Sequence, residues 1–431
     1  MKTILKNVTL LAETGYDSGL WQVVIDDKCI ASITRELPDT SGANVVDAKG
    51  NLLIPGFYNA HCHAAMTLFR GYGEDLPLQR WLDERILPAE DRLNYQNVTV
   101  ATRLAIAEML KGGIVSFSDM YMFEDATAEI VLESGMKANL SRALVSFDPN
   151  TALATDSRFL EAKKLVERYQ NAGEGRVKID FSLHAEYTNV PQYVAAVSEY
   201  VSANNLRMHI HLSETQKEHN DCIRRHGKTP ARFFYDFGAF NTPTLAAHCV
   251  WVSDEDIALL AEKGVTAVHN PISNLKLGSG VMPLQKMLDA GINVALGTDG
   301  VASNNRLDVL REMQTAAILH KGVNLDPTAT TASQMPRLAT RNGAIAQGRE
   351  NCGEIRVGAC ADLVLINRTS LHNMPCFDDY AMLCYSAERS DVLMTMVDGR
   401  ILYQNGTYTL IDEERLRYDA QKVFDHYFDE P

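Results

Sequence analysis

Histidine and aspartate side chains stand at the ends of apolar runs in the middle of this sequence. His61 and His63 end one run, His211 a second, His248 a third and Asp299 a fourth. On a β-strand, residues i and i+2 point to the same side, so His61 and His63 can approach one ion together. A set of three imidazoles and one carboxylate suits zinc or ferrous iron and does not suit a thiolate site. The pattern predicts a metal centre.

A single His-x-His pair would be weak evidence, because core and surface histidines adopt that spacing by chance. The prediction depends on the combination, since four of the eight predicted strands carry His or Asp near the same end. Cys62 and Cys249 alternate to the opposite face and are interpreted as packing residues. His209 faces inward with His211 but one layer deeper, where we expect a hydrogen-bonded core histidine and not a ligand.

Eight short apolar runs, each followed by a helical pattern, must position these side chains. The runs end near residues 63, 120, 145, 187, 214, 250, 271 and 300. Amphipathic stretches such as 98–113 and 190–205 lie between them, with apolar residues spaced as on a helix face. This alternation predicts an α/β fold, a (β/α)8 TIM barrel with its active site at the carboxyl ends of the strands. A doubly wound sheet is the alternative, but no G-x-G-x-x-G motif follows a run.

Both ends of the chain differ in texture from the middle. Residues 1–50 and 349–431 contain β-branched runs broken by Gly, Asp and Asn. We predict that these two segments form one composite β-sandwich domain, which includes a C-terminal helix. The barrel then comprises residues 51–348.

The composition excludes several classes of protein. The 431 residues include 41 basic and 55 acidic side chains, which give a formal net charge of −14. An acidic chain without a basic block repels phosphate, so neither nucleic acid nor an anionic membrane is an expected partner. No apolar window is long enough to span a bilayer, and the eight cysteines form no C-x-x-C pair. We expect a cytoplasmic protein with reduced thiols.

Five segments of the sequence carry a family resemblance. They are PGFYNAHCHAAMTLFRGYGEDLPLQRWL, HIHLSETQKE, AAHCV, HNPISNLKLGSG and LGTDGVASNN. Together they resemble the amidohydrolase superfamily, in particular its S-adenosylhomocysteine and 5'-methylthioadenosine deaminase branch, over nearly the whole chain. The resemblance implies one divalent metal ion per subunit, zinc or alternatively iron, held by His61, His63, His211 and Asp299. It also implies that His248 contacts the attacking water or the substrate and does not bind the metal.

The activity implied by the resemblance is hydrolytic deamination of an adenosine-type nucleoside to its inosine analogue, with release of ammonia. A divalent metal ion lowers the pKa of bound water toward about 7, which makes hydroxide available at neutral pH. Asp299 is expected to orient this hydroxide and accept its proton, while His248 steadies the oxygen. Glu214, three residues after His211, is expected to donate a proton to the purine N1. Taken alone, Glu214 would be interpreted as a solvated carboxylate.

Further residues are implied as a substrate-binding set. Glu90 is assigned to the ribose, His184 and Glu214 to the base, and Arg142 is a first arginine of the substrate site. Arg158 is assigned to an amino-acid carboxylate through a bidentate fork, with an ordinary surface arginine as the alternative. The chain departs from the family's H-S-P-Y-like pattern, because it has H-A-E-Y at residues 184–187. If the extra carboxylate faces the pocket, it alters selection at the 5' end of the nucleoside.

Other functions fit parts of the pattern. A guanine or pterin deaminase, or a triazine hydrolase, would use the same metal and Glu214. Glu90 with Arg142 favours a nucleoside, because a bare ring needs neither a diol acceptor nor a carboxylate partner. The signature of nucleic-acid deaminases fails, since Pro375 and Cys376 are not followed by the required second cysteine.

A catalytically inactive barrel that acts as a scaffold is a function from a different class. Such a chain would be expected to lose ligands, whereas this one retains every position named above. The sequence does not rank S-adenosylhomocysteine, 5'-methylthioadenosine, 5'-deoxyadenosine and adenosine as substrates. A homo-oligomer is compatible with a large apolar barrel.

Overall fold

The computed structural model describes residues 2–11 and 15–429, and its strands form two sheets. The amino-terminal strands are β1 (Lys2–Leu10), β2 (Trp21–Asp26), β3 (Cys29–Thr34), β4 (Asn44–Asp47) and β5 (Leu52–Pro55). The central strands are β6 (Phe57–His63), β7 (Ile114–Tyr121), β8 (Lys137–Leu144), β9 (Val177–Ile179), β10 (Phe181–Leu183), β11 (Met208–Leu212), β12 (Thr244–His248), β13 (Thr266–His269), β14 (Val294–Leu296) and β15 (Asp299–Gly300). The carboxyl-terminal strands are β16 (Leu363–Ile366), β17 (Val392–Val397), β18 (Arg400–Gln404) and β19 (Thr407–Tyr408).

The central strands form a curled parallel sheet in the order β14-β13-β12-β11-β10-β8-β7-β6-β15, with β9 beside β8. The predicted eighth run contributes two segments to it. β14 pairs with β13, whereas β15 pairs with β6 through Asp299 opposite Cys62. Gly297 lies between the two segments, and a Cβ there would come within 2.9 Å of the His61 backbone. The last run therefore returns to the first, at the place where the predicted ligands are.

Helices follow most of the central strands and cover the sheet, as the predicted alternation requires. The helices before β10 are α1 (Leu78–Trp81), α2 (Leu87–Glu90), α3 (Tyr95–Lys111), α4 (Glu124–Ser134), α5 (Ser157–Tyr169) and α6 (Ala172–Gly175). The next are α7 (Pro191–Ala203), α8 (Gln216–His226), α9 (Pro230–Asp236), α10 (Asp254–Glu262), α11 (Pro271–Lys276) and α12 (Leu284–Asp289). The last are α13 (Val301–Asn304), α14 (Val309–Asn324), α15 (Met335–Ala339), α16 (Arg341–Ala346), α17 (Asp379–Ala381) and α18 (Glu413–Asp429).

Helix α3 shows why these segments are helical. Asn94 caps its first turn by accepting a hydrogen bond from the backbone N–H of Asn97. Val98, Ala101 and Ala105 recur on one face and are buried in the main core. Among the described residues, no helix has the length and apolar character that crossing a membrane requires.

The second sheet combines strands from both ends of the chain, in the order β19-β18-β17-β16-β5-β1-β2-β3, with β4 beside β1. Its two halves share one apolar core, in which Leu5 and Ile25 pack in the same cluster as Leu363 and Met394. The predicted association of the two termini is therefore present in the sheet.

The first predicted run differs from expectation, because it contributes to both sheets. β5 pairs antiparallel with β16, whereas β6 pairs parallel with β7. Gly56 separates the two strands, and a Cβ at this position would lie 2.3 Å from Cγ1 of Val115. Only glycine allows the backbone to pass this close to β7 as it changes sheets. The apolar run itself continues through the crossing, so its pattern does not reveal the break.

A buried ion cluster lies between the two sheets, at the start of β8. Nζ of Lys137 lies 2.6 Å from a carboxylate oxygen of Asp362 and 2.6 Å from one of Asp398. Burial alone would lower the pKa of Lys137, but these two charges outweigh it and raise the pKa. Because the predicted ligands lie at the opposite ends of the parallel strands, the cluster is a structural feature separate from them.

Candidate active site

Four predicted ligands meet at the carboxyl ends of the central strands. His61 and His63 lie on β6, His211 on β11, and Asp299 begins β15. Ligand-type nitrogens of the three histidines lie within 4.8 Å of one another. Oδ1 of Asp299 lies 3.6 Å from Nε2 of His61 and 3.2 Å from Nε2 of His63. The four side chains are therefore gathered around the ring of His61.

Contacts to the backbone orient two of these rings. Nδ1 of His63 donates to the carbonyl oxygen of Met120 at 2.8 Å. Nδ1 of His211 donates to the carbonyl oxygen of His184, also at 2.8 Å. A carbonyl that accepts from one ring nitrogen leaves the other deprotonated and free to bind a metal. The outer contacts of His63 and His211 are thus those of metal-binding histidines.

His61 is oriented by another histidine, His209. Its Nδ1 lies 2.9 Å from Nε2 of His209, which is buried as the sequence indicated. Nε2 of His61 is also buried and has no hydrogen-bond partner among residues 2–11 and 15–429. A buried nitrogen without a partner is costly unless another group satisfies it. Together with the other imidazoles and the carboxylate, it forms a donor set that fits zinc or ferrous iron.

The charges around Asp299 favour a cation at this point. Burial alone would raise the pKa of Asp299, but the neighbouring imidazoles of His61 and His63 hold it well below its usual range. Burial lowers the pKa of His61 to about 4. For His63 the effect of burial is outweighed by the hydrogen bond and charge of Asp299, which raise its pKa to about 9. A carboxylate thus remains ionised beside imidazole nitrogens, as a metal site requires.

Glu214 and His248 lie beside this group of ligands. Glu214 follows β11, and Oε2 of its buried side chain lies 3.9 Å from Nε2 of His248. Burial raises the pKa of Glu214, so its protonated form is favoured relative to a solvated glutamate. The ring of His248 stacks on that of His211, with 5.4 Å between centroids. A carboxyl group and an imidazole therefore face the same space as the predicted ligands.

The backbone at these positions is left-handed. His248 has a φ of 74° and Asp299 a φ of 60°, values that side-chain-bearing residues rarely adopt. Such conformations cost free energy and concentrate at functional sites. The turn also places a nitrogen of His248 within 4.8 Å of ligand atoms of His61 and Asp299. His248 therefore reaches the edge of the predicted metal site.

The turn that carries Glu214 is held by a second glutamate. The carboxylate of Glu218, on α8, accepts from the backbone N–H of Ser213 at 3.0 Å and of Glu214 at 2.7 Å. Ser213 has a φ of 48°, so this turn needs such support. Sequence reasoning assigned no role to Glu218. The sequence signal that could have identified Glu218 is T-x-x-E, the spacing of a helix start. Thr215 accepts from the backbone N–H of Glu218 in this position.

Glu90 and Arg142 line one cavity of about 420 Å³. Glu90 ends α2 and accepts a hydrogen bond from the Tyr121 hydroxyl at 2.6 Å. Burial raises its pKa to about 7, although the bond from Tyr121 opposes this. Arg142 extends from β8, where its Nε lies 2.7 Å from Glu161 on α5. The structure thus brings the predicted ribose acceptor and the first predicted arginine to the same cavity.

Arg158 lies at the exposed start of α5. Asp156 caps this helix by accepting from the backbone N–H of Phe159 at 3.2 Å, and it also accepts a hydrogen bond from the Tyr193 hydroxyl. The structure does not place Arg158 among the residues that line the cavity beside Glu90.

His184, which the resemblance assigns to the base, borders the predicted ligands. Its ring centroid lies 4.8 Å from that of His211, and burial lowers its pKa to about 4. A neutral imidazole at this point can exchange hydrogen bonds with a purine. The neighbouring Glu186 is buried, and its carboxylate pairs with Arg225 at 2.6 Å and His226 at 3.0 Å. Glu186, the residue that departs from the family pattern, therefore links the segment after β10 to α8.

Comparisons with known proteins agree with this geometry. Residues 52–402 match the amidohydrolase family. A 5'-deoxyadenosine deaminase of Methanosarcina mazei is 45% identical over 404 residues, which cover 93% of this chain and 92% of that protein. A 5-methylthioadenosine/S-adenosylhomocysteine deaminase of Dictyoglomus thermophilum is 42% identical and is covered to 96%, over 93% of this chain. The crystal structure of an adenosine deaminase from Xanthomonas campestris with bound zinc superposes with a TM-score of 0.92, at 31% identity over 99% of both chains.

Proposed function

The chain belongs to the amidohydrolase family, and we propose that it is a metal-dependent hydrolase that deaminates an adenosine-type nucleoside to the inosine analogue. The observation that carries the proposal is the position of buried Glu214 beside His248 and the four ligand-type side chains. Such a site combines a proton donor with a cation site, which hydrolysis of a C–N bond in a cyclic amidine needs.

The proposal extends to the architecture that holds the site. Residues 51–348 form a complete (β/α)8 TIM barrel, a proposal supported by the pairing of β15 with β6. Residues 1–50 and 349–431 form the composite β-sandwich. The division of β1 supports this, because Thr3 to Lys6 pair with β4 while Thr9 and Leu10 pair with β5, the strand at the start of the barrel segment that joins β1 to β16. The C-terminal helix α18, assigned to that unit, packs against α3 of the barrel.

One divalent metal ion, zinc in preference to iron, would be held by His61, His63, His211 and Asp299. The unpartnered Nε2 of His61 supports this assignment, as does the zinc in the adenosine deaminase of Xanthomonas campestris. Such an ion supplies a Lewis acid that makes water nucleophilic at neutral pH.

The residues of the chain then move protons while the oxygen of water adds to C6 of the purine. Asp299 accepts a proton from the attacking water, and Nε2 of His248 holds the water by accepting a hydrogen bond from its other O–H. Glu214, in its protonated form, donates to N1 of the ring. When the C6–N bond breaks, the proton held by Asp299 reaches the departing nitrogen and ammonia leaves. The proton left on the C6 oxygen passes to Glu214 as the carbonyl forms, so the two protons of water replace the one given to N1 and the one given to ammonia.

The nucleoside occupies the space between the ligands and the cavity beside Glu90. Glu90 accepts hydrogen bonds from the ribose hydroxyls, for which its position next to the Tyr121 hydroxyl is suited. His184 contacts the base, and Arg142 faces the 5' substituent. Arg158 would add a second guanidinium for an amino-acid carboxylate, as on S-adenosylhomocysteine. The candidate substrates are S-adenosylhomocysteine, 5'-methylthioadenosine, 5'-deoxyadenosine and adenosine.

Isotope labelling tests the reaction class. The zinc-loaded protein is incubated with each nucleoside in water enriched in heavy oxygen, and the product is analysed by mass spectrometry. We expect an inosine analogue that carries one heavy oxygen, with one ammonia released for each. A product with unlabelled oxygen, or cleavage of the glycosidic bond, would refute hydrolytic deamination.

A further inference from the structure

The segment that follows β13 contacts three predicted site residues that come from other strands. It comprises α11 and the residues up to Gly280, and we name residues 271–280 the positioning loop. Its contacts reach Glu214 after β11, His248 on β12 and Asp299 on β15. β13 itself carries none of the predicted catalytic groups.

Asp299 is held by two hydroxyl groups. Ser273 donates to Oδ2 of Asp299 at 2.6 Å, and Ser303 lies 3.1 Å from the same oxygen. The backbone N–H of Gly300 donates to Oδ1 at 2.8 Å. Because Oδ1 is the atom nearest to His61 and His63, the serines fix the plane of the carboxylate from its far side. Ser273 therefore sets the direction in which Oδ1 points.

His248 is held by the next residue along the loop. Nδ1 of His248 lies 2.9 Å from Oδ1 of Asn274, and both side chains are buried. An amide oxygen accepts from a ring N–H, so this contact selects the tautomer in which Nδ1 carries the hydrogen. Nε2 is then free to accept a proton or a hydrogen bond on the side that faces Glu214. The contact to Asn274 is the shorter of two at Nδ1, since Nδ2 of Asn270 lies 3.4 Å away, and it orients the ring.

Glu214 is reached by the end of the loop. Oγ of Ser279 lies 3.3 Å from Oε1 of Glu214, on the oxygen that does not face His248. Ser279 is itself held by two bonds. Its N–H donates to the carbonyl oxygen of Asn274 at 2.8 Å, and its carbonyl accepts from the Trp251 indole at 2.7 Å. The three contacts therefore belong to one hydrogen-bonded unit.

The loop is also fixed to the rest of the protein. Glu312, on α14, accepts from the backbone N–H of Ile272 at 3.1 Å and from the side chain of Asn304 at 2.5 Å. At the other end Gly280 has a φ of 127°, and a Cβ there would lie 2.8 Å from Cγ1 of Val250. The loop is therefore held at both ends, at Ile272 by Glu312 and at Gly280 by close packing against Val250.

We propose that the positioning loop aligns the three acid–base groups of the deamination, with Ser273, Asn274 and Ser279 as positioning residues for Asp299, His248 and Glu214. This inference rests on the proposed function, because it concerns how that reaction is carried out. Outer contacts of this kind typically change activity by about 10- to 100-fold when removed. The loop thereby gives β13 a role in catalysis that its own side chains do not supply.

The test compares Ser273→Ala, Asn274→Ala and Ser279→Ala with wild type, all loaded with zinc. We expect kcat to fall about 10- to 100-fold for Asn274→Ala, with KM within about threefold of wild type and metal content unchanged. Asn274→Asp retains the accepting oxygen and should recover most of the lost kcat. Leu275→Ala is the matched control, since Leu275 lies on the same loop and its side chain is 42% exposed.

A second readout does not depend on turnover. Crystal structures of zinc-loaded wild type and Asn274→Ala should show that the His248 ring rotates away from its position beside Glu214 in the variant only. Unchanged kcat in all three alanine variants, or an unmoved His248 ring, would overturn the inference. A wild type that deaminates no nucleoside refutes the proposed function instead, and the crystal structures then decide on the loop alone. If Asn274→Ala does not fold, Ser273→Ala and Ser279→Ala provide the test, because each loses only one hydroxyl. The same fall in kcat is then expected, and the crystal structures should show a displaced Asp299 in Ser273→Ala and a displaced Glu214 in Ser279→Ala.

Discussion

Oε2 of Glu214 lies 3.9 Å from Nε2 of His248, so a carboxyl from the end of β11 faces an imidazole from the end of β12. The parallel pairing of the two strands produces this relationship, because Leu212 stands opposite His248 in the register. Burial raises the pKa of Glu214. A carboxyl group and an imidazole are thus held side by side, the pair to which the proposed reaction assigns proton donation and the binding of water.

Glu214→Gln tests the proton donor. The amide retains the size of the side chain but cannot donate an acidic proton, so kcat should fall by about a thousandfold while zinc remains bound. Ammonia release and metal content are the measurements, with Glu255→Gln on the exposed face of α10 as control. Ammonia release near the wild-type rate would exclude Glu214 as the donor.

His211→Ala tests the ligand set. Loss of one imidazole should leave a site too weak to retain zinc through dialysis, because three protein ligands remain in a geometry made for four. Mass spectrometry of the dialysed variant measures the zinc that it retains. His426→Ala, at an exposed position on α18, should keep one zinc per chain. Tight retention by His211→Ala would show that the ligands are misassigned.

Arg158→Ala tests discrimination at the 5' end of the nucleoside. If Arg158 binds an amino-acid carboxylate, the variant should lose kcat/KM for S-adenosylhomocysteine by about tenfold and keep it for 5'-methylthioadenosine, which has no carboxylate. The ratio of the two constants is the measurement, and Arg337→Ala, another exposed arginine, is its control. An unchanged ratio would remove Arg158 from the substrate site.

Glu312→Gln tests the anchor of the positioning loop through its pH dependence. Burial raises the pKa of Glu312 from an ordinary 4.5 to about 8. The folded protein therefore binds a proton that the unfolded chain releases, so this group's contribution to stability is complete below about pH 4.5 and is lost as the pH rises toward 8.

The variant lacks this titration, so its thermal midpoint relative to wild type should increase between about pH 5 and pH 8. Thermal unfolding at a series of pH values measures the difference. Glu350→Gln, at an exposed position, should follow wild type throughout. A difference between Glu312→Gln and wild type that stays constant with pH would contradict the assignment.

Lys137→Met tests the ion cluster between the two sheets. Without the ammonium, Asp362 and Asp398 remain buried without their cation, and the free energy of unfolding should fall by about 3–5 kcal/mol. Urea unfolding of the zinc-loaded protein gives this value, with the exposed Lys163→Met as control. A loss below about 1 kcal/mol would indicate that the cluster is not an important link.

Much of this arrangement could be predicted from the sequence. The alternation of strand and helix, the family and the deaminase activity are confirmed. His61 and His63 meet because a period of two is built into every strand, so their spacing was informative without a structure. Their role as ligands stays a prediction until metal is measured.

Other features depend on contacts that the sequence does not display. The split of the first run at Gly56 requires knowledge of how close Val115 comes. The sequence left Glu186 as a possible pocket residue, but its carboxylate pairs with Arg225 and His226 on α8. These partners are remote in sequence, and local patterns carry no information about such pairing.

The positioning loop illustrates the same limit within the site. The motif HNPISNLKLGSG was visible and contributed to the resemblance, yet serine and asparagine in a loop most often serve turns. Only the distances from Ser273 to Asp299 and from Asn274 to His248 reveal what they hold. Polar residues that act through a catalytic group leave no spacing signature of their own.

The most direct measurement is ammonia release by the zinc-loaded protein from S-adenosylhomocysteine, 5'-methylthioadenosine, 5'-deoxyadenosine and adenosine, each compared with guanine and with metal-matched Glu214→Gln. Our account predicts that at least one nucleoside yields one ammonia per molecule with the matching change in purine absorbance. It also predicts that guanine is not turned over and that Glu214→Gln is nearly inactive. Turnover of guanine alone, or of no nucleoside by a protein with one zinc per chain, would contradict it.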